Sequence, residues 1–254
     1  MGWLHDGHRS LMQRARAENA TTIATIFVNP RQFNEAADYQ RYPRNEARDL
    51  AICDEEAIDL VFAPGVDEVY PPGFDTVVSV GAVAAPLEGA ARPGHFDGVA
   101  TVVAILFNLV GADRAYFGQK DAQQVMVISQ MARDLAIPTQ VIACPTVREA
   151  DGLALSSRNF HLTAEQRAAA PVLRRALVAA RERWEKGERS AAALRDTMSV
   201  TLAAQSLANP DYVSVADGRT LAELERVDGP AILSLAVRFG STRLIDNELL
   251  DPPA

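Results

Sequence analysis

The chain has 254 residues, enough for one large domain or two smaller ones. Its formal net charge of −8 argues against a non-specific nucleic-acid binder, which needs clustered Lys and Arg, but leaves room for a local cationic pocket that takes small anions. The polar first residues predict no signal peptide, and the longest apolar run, Val99 to Val110, is interrupted by Asn108 and too short to span a bilayer. Cys53 and Cys144 form no CxxC pair and read as buried thiols of a reduced, cytoplasmic protein.

In chain order, His5-Asp6-Gly7-His8 leads into a predicted helix from Arg9 to Asn19, with Leu11, Met12 and Ala15 on one side and Arg14, Arg16 and Glu18 on the other. Free backbone N–H groups at a helix start favour an anion, and Gly7 lets a phosphate come close because it has no Cβ. A frayed terminus with two solvated histidines gives the same four letters. Thr22 to Val28 is a β-branched run, and just past it Asn29 and Gln32 can hydrogen-bond a hydroxyl-bearing carboxylate or serve as ordinary loop polars. Arg44 to Ala57 reads as a helix, Ile58 to Ala63 as a short strand, and Val99 to Leu109 as a helix apolar nearly all round and therefore buried. A strand follows from Ala112 to Phe117, a helix from Lys120 to Leu135 and a strand from Thr139 to Ala143.

Phe117-Gly118-Gln119-Lys120-Asp121 falls at a strand-to-helix turn, where Lys120 adds a point charge to the helix dipole, with Gln124 one turn further on. Leu155-Ser156-Ser157-Arg158-Asn159 follows the turn Glu149 to Gly152, and its hydroxyls and guanidinium can meet charge on a triphosphate or simply cap a linker. Alternating strands and helices indicate a parallel sheet covered on both faces, with ligands at the strands' carboxyl ends. Beyond Arg158, Thr163 and Gln166 form a capping box for a long helix to about Lys186, ended by Gly187. A second helix from Ser190 to Gln205 and strands near Tyr212–Val215, Ala231–Val237 and Thr242–Ile245 predict a smaller α+β domain. The boundary is expected near Asn159, giving domains 1–158 and 159–254. P-loop and dinucleotide glycine patterns are missing, and a zinc site on His5 and His8 lacks a third ligand. His95 reads as a pocket-wall residue and His161 as a solvated one.

Met1 to His8, Ile26 to Phe33, Tyr42-Pro43-Arg44, Leu87-Glu88-Gly89, Arg92 to Phe96, Phe117 to Gln124, Asp151 to Asn159 and Arg243-Leu244-Ile245-Asp246-Asn247 stand in this order along the chain. Together these stretches resemble the pantothenate synthetase (pantoate–β-alanine ligase) family of the HxGH nucleotidyltransferase superfamily. Members usually carry methionine where Arg31 stands and glutamate where Gln119 stands. They also begin with a further segment ending in a strand and a Pro-Thr pair ahead of the Met1 position. The expectation is that this leading strand is missing here, at a cost in stability and activity.

The resemblance implies a Rossmann-like first domain and a two-step reaction in which pantoate and ATP give pantoyl adenylate, which β-alanine then converts to pantothenate and AMP. It implies catalytic roles for His5, His8, Lys120 and Arg158, with His8 read here as a charge stabiliser. The nucleotide site would comprise Met1, Gly2, Trp3, Leu4, His5, Asp6, Gly7, His8, Gly118, Gln119, Lys120, Asp121, Val147, Leu155, Ser156, Ser157 and Arg158. Gln32 and Gln124 would bind pantoate, with Gln32 also near β-alanine and Asn29 in support. Mg²⁺ would bridge the phosphates, with Asp49 beside it; other members can have a further acidic residue at the Arg48 position. A cytoplasmic homodimer without nucleic-acid or membrane partners is implied. The alternatives are another HxGH nucleotidyltransferase, such as a cytidylyltransferase, or a truncated, catalytically impaired paralogue.

Overall fold

A computed structural model describes residues 2–34 and 36–251, with backbone alone at 36–38. The chain divides into two compact units, residues 1–145 and 146–254. The first runs α1 (Asp6–Glu18), β1 (Ile23–Thr25), α2 (Ala36–Arg41), α3 (Glu46–Glu55), β2 (Leu60–Phe62), the single turns α4 (Val66–Val69) and α5 (Glu88–Ala91), α6 (His95–Val110), β3 (Arg114–Gly118), α7 (Ala122–Asp134) and β4 (Gln140–Cys144).

β1 and β2 pair in parallel from Ile23↔Leu60 to Thr25↔Phe62, and β3 and β4 from Arg114↔Gln140 to Gly118↔Cys144. Among the described residues no backbone ladder joins the two pairs. Among the described residues β1 has β2 as its ladder partner, and that ladder covers three of the residues from Thr22 to Val28. The helix predicted at Arg9 starts three residues earlier, at Asp6, because the histidine turn itself is its cap and first turn. α6 is buried from Phe96 through Ala104 except at Asp97, as its apolar composition predicts, but its last turn leaves Leu109 exposed. It packs against both the Pro30–Gln32 turn and α7, so one helix supports two candidate substrate-binding segments. No described helix is long and apolar enough to cross a membrane.

The second unit has α8 (Ala164–Ala169), α9 (Val172–Glu185) and α10 (Ala191–Ala203), then β5 (Asn209–Asp217), β6 (Ala231–Phe239) and β7 (Thr242–Leu250) in one antiparallel sheet of order β5-β6-β7. Its core joins Leu173, Leu177 and Trp184 of α9 to Leu194, Met198 and Leu202 of α10 and to the sheet. The Thr163–Gln166 capping box forms, and Gly187 at φ +103° follows the end of α9. The single long helix predicted from Thr163 to Lys186 is instead two, because Pro171 supplies no N–H and its ring obstructs the preceding turn. Residues 146–158, expected in the first domain, fall in the second unit. The physical tie is the Arg148–Asp246 ion pair, which fastens that stretch to β7.

Gly98 on α6 lies where a Cβ would stand 2.3 Å from the Arg31 carbonyl oxygen and 2.9 Å from the Gln32 nitrogen. Gly98→Ala is thus expected to destabilise by about 1–3 kcal/mol, the range for overpacking. Gly118→Ala has open space around it and should change stability by less than about 0.5 kcal/mol. Denaturant melts of the two variants test the contrast; equal effects would show that α6 yields at Gly98.

Candidate functional site

The histidine turn is built by reciprocal capping. His5 is the N-cap of α1, and its Nδ1 accepts from the Gly7 N–H at 3.1 Å. His8 Nδ1 accepts from the His5 N–H at 3.2 Å, and the two rings lie 4.0 Å apart. An Nδ1 that accepts carries no proton, so each neutral ring bears its hydrogen on Nε2. Burial first, and then neighbouring His5, push His8 down to about 3. His5 is lowered too, mainly by burial and next by the charge of Lys120. Both rings are neutral N–H donors near neutral pH.

Asp49 holds this turn from behind. Its Oδ2 accepts from Trp3 N–H and its Oδ1 from Leu4 N–H, each at 2.8 Å, and the carboxylate belongs to a residue only 1% exposed. Its oxygens fix the backbone that enters the HxGH turn. Among the described residues no group of three His, Cys, Asp or Glu side chains is gathered for a metal ion. Sequence reasoning missed Arg48 as a participant. Its guanidinium lies 4.9 Å over the Trp3 ring, its Nη1 is buried without a hydrogen-bond partner, and its charge also lowers His5. Only the fold, which sets α3 against the turn, makes that visible.

Lys120 and Asp121 come from the 3₁₀ turn Gln119–Asp121 at the carboxyl end of β3, with Nζ 3.7 Å from the Asp121 carboxylate. Lys120 lowers both histidines and Asp121 raises them, so this turn and the HxGH turn share one electrostatic neighbourhood. Positive charge here stands against a helix N-terminus, a combination suited to phosphate.

Two glutamines next to each other on α7 divide their work. Gln123 is buried and structural, accepting from Glu88 N–H at 3.0 Å and donating to the Val83 and Pro86 carbonyls. Gln124 is half-buried, and its side-chain amide has no hydrogen-bond partner among the described residues. At the other segment, Asn29 is 3% exposed and satisfied: it accepts from Tyr70 Oη at 2.8 Å and Arg31 N–H at 3.2 Å, and donates to the Gly98 carbonyl at 2.9 Å and Gln32 Oε1 at 3.2 Å. Burial pushes the Tyr70 hydroxyl up to about 12, so it stays a donor. The Gln32 carbonyl is held by His95 Nδ1 at 2.8 Å and Arg92 Nη2 at 3.1 Å. His95 thus orients Gln32. Arg31 is sandwiched between Tyr70 and Phe74 at 4.6 and 4.5 Å.

The structure brings Trp3, Leu4, His5, His8, Lys120, Asp121, Arg48 and Asp49 together, and separately Asn29 with Gln32. Val147, Leu155, Ser156, Ser157 and Arg158 belong to the second unit, where Val147 accepts from the Leu155 N–H at 3.0 Å and Ser156 Oγ from the Arg158 N–H at 3.3 Å. Met1 lies outside the described residues.

A family profile described as pantoate-beta-alanine ligase matches residues 1–249. The pantothenate synthetase of Roseiflexus castenholzii is 60% identical over 251 residues, covering 99% of this chain and 90% of the relative. That of Moorella thermoacetica is 51% identical, covering 99% and 89%. The crystal structure of pantothenate synthetase from Thermus thermophilus superposes with a TM-score of 0.96 at 50% identity, covering 99% of this chain and 91% of the other. Pantoate-beta-alanine ligase from Francisella tularensis, complexed with beta-gamma ATP and beta-alanine, gives 0.78 at 35% identity, covering 98% and 87%.

The low basicity of His8 has a consequence for acid stability. Its folded value of about 3 lies below the ordinary 6.5, so the unfolded chain binds the extra proton between those limits. Its contribution is complete above about pH 6.5 and is lost as pH falls toward 3. His8→Gln is expected to reduce the loss of stability between neutral and mildly acid solution, read from urea melts at both. An unchanged slope would show that the His8 ring is protonated in the folded protein.

Proposed function

The chain belongs to the pantoate–β-alanine ligase family and joins pantoate to β-alanine at the expense of ATP, and we propose that it works through an adenylate made at the HxGH turn. The observation that supports this reading most is the pair of neutral Nε2–H donors at a helix N-terminus, beside Lys120. A free carboxylate is a poor acylating agent. A pantoate carboxylate oxygen attacks the α-phosphorus, and the bond from that phosphorus to the β-phosphate oxygen breaks to release pyrophosphate. The β-alanine nitrogen then attacks the acyl carbon, the acyl–oxygen bond breaks, AMP departs, and the nitrogen gives up its proton.

Catalysis of the first step is positioning plus electrostatic stabilisation. His5 and His8 donate neutral hydrogen bonds to phosphate oxygens, and Lys120 neutralises charge as pyrophosphate leaves. His8 acts as a charge stabiliser, since an imidazole with a value of about 3 carries no proton to give from an imidazolium near neutral pH. The side-chain amides of Gln32 and Gln124 bind the pantoate hydroxyls and carboxylate, and Asn29 holds Gln32 in place. Gly2, Gly7, Gly118, Gln119 and Asp121 border the nucleotide, and Ser156, Ser157 and Arg158 meet the triphosphate. Mg²⁺, when bound with the nucleotide, would supply neutralisation of triphosphate charge, and Asp49 is the carboxylate that the resemblance would set beside it. A cytoplasmic homodimer follows the family resemblance; light scattering at micromolar concentration is expected to give twice 27.4 kDa, and a monomer would overturn it.

The chain should exchange pyrophosphate into ATP with pantoate and Mg²⁺ but without β-alanine. Exchange that needs β-alanine would contradict a discrete adenylate. Lys120→Ala and His8→Ala are each expected to slow adenylation by roughly a hundredfold or more, the scale for one preorganised contact. Gln32→Ala should act mainly by raising the KM for pantoate. Single-turnover adenylation at the parental rate in the His8 variant would remove that residue from the mechanism.

A further inference from the structure

The Arg243–Asn247 stretch takes no part in the chemistry above, yet it contains the most buried carboxylate among the second unit's described ion pairs. Asp246 lies on β7 with its side chain 1% exposed, and Arg148 binds it with both nitrogens, Nη1 to Oδ2 at 2.7 Å and Nη2 to Oδ1 at 2.9 Å. Arg148 sits at the base of a tight hairpin. Leu155 N–H donates to the Val147 carbonyl at 3.0 Å, Glu149 N–H to the Leu153 carbonyl at 2.8 Å, and Arg148 bridges Ala154. Arg148 Nη1 also donates to the Gly152 carbonyl at 3.1 Å, bracing the hairpin's turn. Gly152 has φ +90°, and a Cβ there would stand 3.0 Å from the Arg174 side chain.

The hairpin delivers the next segment directly. Ser156 caps the 3₁₀ turn Ser157–His161, and Asn159 Nδ2 ties that turn back to the Ala154 carbonyl at 3.1 Å and to Glu149 Oε1 at 3.3 Å. Arg167 on α8 also holds Glu149 and Asp151, but those partners are about a third or more exposed and weakened by solvent. The buried, bidentate link is therefore the rigid one.

We propose that Asp246 is a positioning residue for Ser156, Ser157 and Arg158, acting through Arg148 and the hairpin 147–155. The inference rests on the reading that those three residues meet the triphosphate. A buried ion pair is weak evidence of stability, because desolvation offsets its attraction and an apolar pair of like volume often holds a fold as well. What an apolar pair lacks is direction. Two parallel N–H···O bonds fix the plane of the Arg148 guanidinium, and with it the turn that carries the two serines.

The full-length chain carrying Asp246→Asn or Arg148→Lys tests this, together with the apolar pair Asp246→Leu/Arg148→Met. Pantoate-dependent pyrophosphate exchange should lose roughly tenfold to a hundredfold in kcat, the scale of a small misplacement, with the pantoate KM within about twofold of the parent. Amide exchange should quicken at 147–161 while β6 stays protected. The apolar pair should show the same kcat loss at a parental melting temperature, which a purely structural role would not produce. If it does not fold, Asp246→Asn and Arg148→Lys decide. Parental kcat and parental exchange in Asp246→Asn, or a parental rate in the apolar pair, would overturn the proposal. Ser157→Ala and Arg158→Ala run in parallel: a parental adenylation rate in both sinks the underlying reading and this inference with it. A loss in both with none in Asp246→Asn sinks the inference alone.

Discussion

Asp49 lies under the first turn of α1, and both of its oxygens accept from backbone N–H groups that precede the histidines. An uncompensated carboxylate in that place would cost several kcal/mol. Two short hydrogen bonds and the Arg48 guanidinium, 3.6 Å from Oδ1, offset that cost. The clamp in turn sustains an unusual backbone. Trp3 has φ +54°, a conformation that costs a bulky residue roughly 1–3 kcal/mol, and it persists because its N–H is fixed and its ring is covered. With Trp3 so turned, Leu4 enters the core beside Met12, Ala24, Ile52 and Cys53. The chain then meets α1 with His5 as the cap. The direction of the Nε2–H donors thus depends on one carboxylate carried by a different helix.

A common pattern governs the candidate binding residues. Each is held by a neighbour that spends its own polar groups on the fold. Asn29 has partners on both its oxygen and its nitrogen, and through them it fixes Gln32; Gln123 is consumed by the Val83–Glu88 stretch while Gln124 beside it is not. His5 and His8 do both jobs in one ring, giving Nδ1 to the helix start and keeping Nε2. Burying polar groups without partners is costly, so a polar atom that remains without one at a partly open position is the place for a ligand.

Periodicity and turn chemistry made much of the fold readable. α3, α6, α7 and α10 follow from their apolar spacing, and the Thr163 cap and Gly187 stop follow from single residues whose conformational preferences act locally. Pro171 was equally visible, but an otherwise unbroken apolar rhythm on both sides masks a break that only its missing N–H enforces. The candidate site was legible as residue types at strand ends. Its supports were not, because Asp49 reaches Leu4 across 45 positions and Arg148 reaches Asp246 across 98. No local pattern encodes such pairs; the path of the chain creates them. The same reason explains why the clamp that Asp49 forms on Trp3 and Leu4 has no local signal in the sequence.

Burial first, and charge at the site after it, explain why its histidines are not basic. The chain as a whole is acidic, yet Lys120 and Arg48 both act on His5, and His8 feels Lys120 as well as the His5 ring. An imidazolium formed there would be desolvated and would face cations already in place, so the proton is displaced. Holding the histidines neutral has a benefit for phosphoryl chemistry. In the proposed adenylation, a neutral N–H would meet phosphate oxygens without holding the departing pyrophosphate as an ion pair would. On that proposal Lys120 would supply the attraction, and the neutral donors the direction. The arrangement is preorganised because the Nδ1 bonds that set the ring orientations are made by the helix start itself, before any nucleotide arrives.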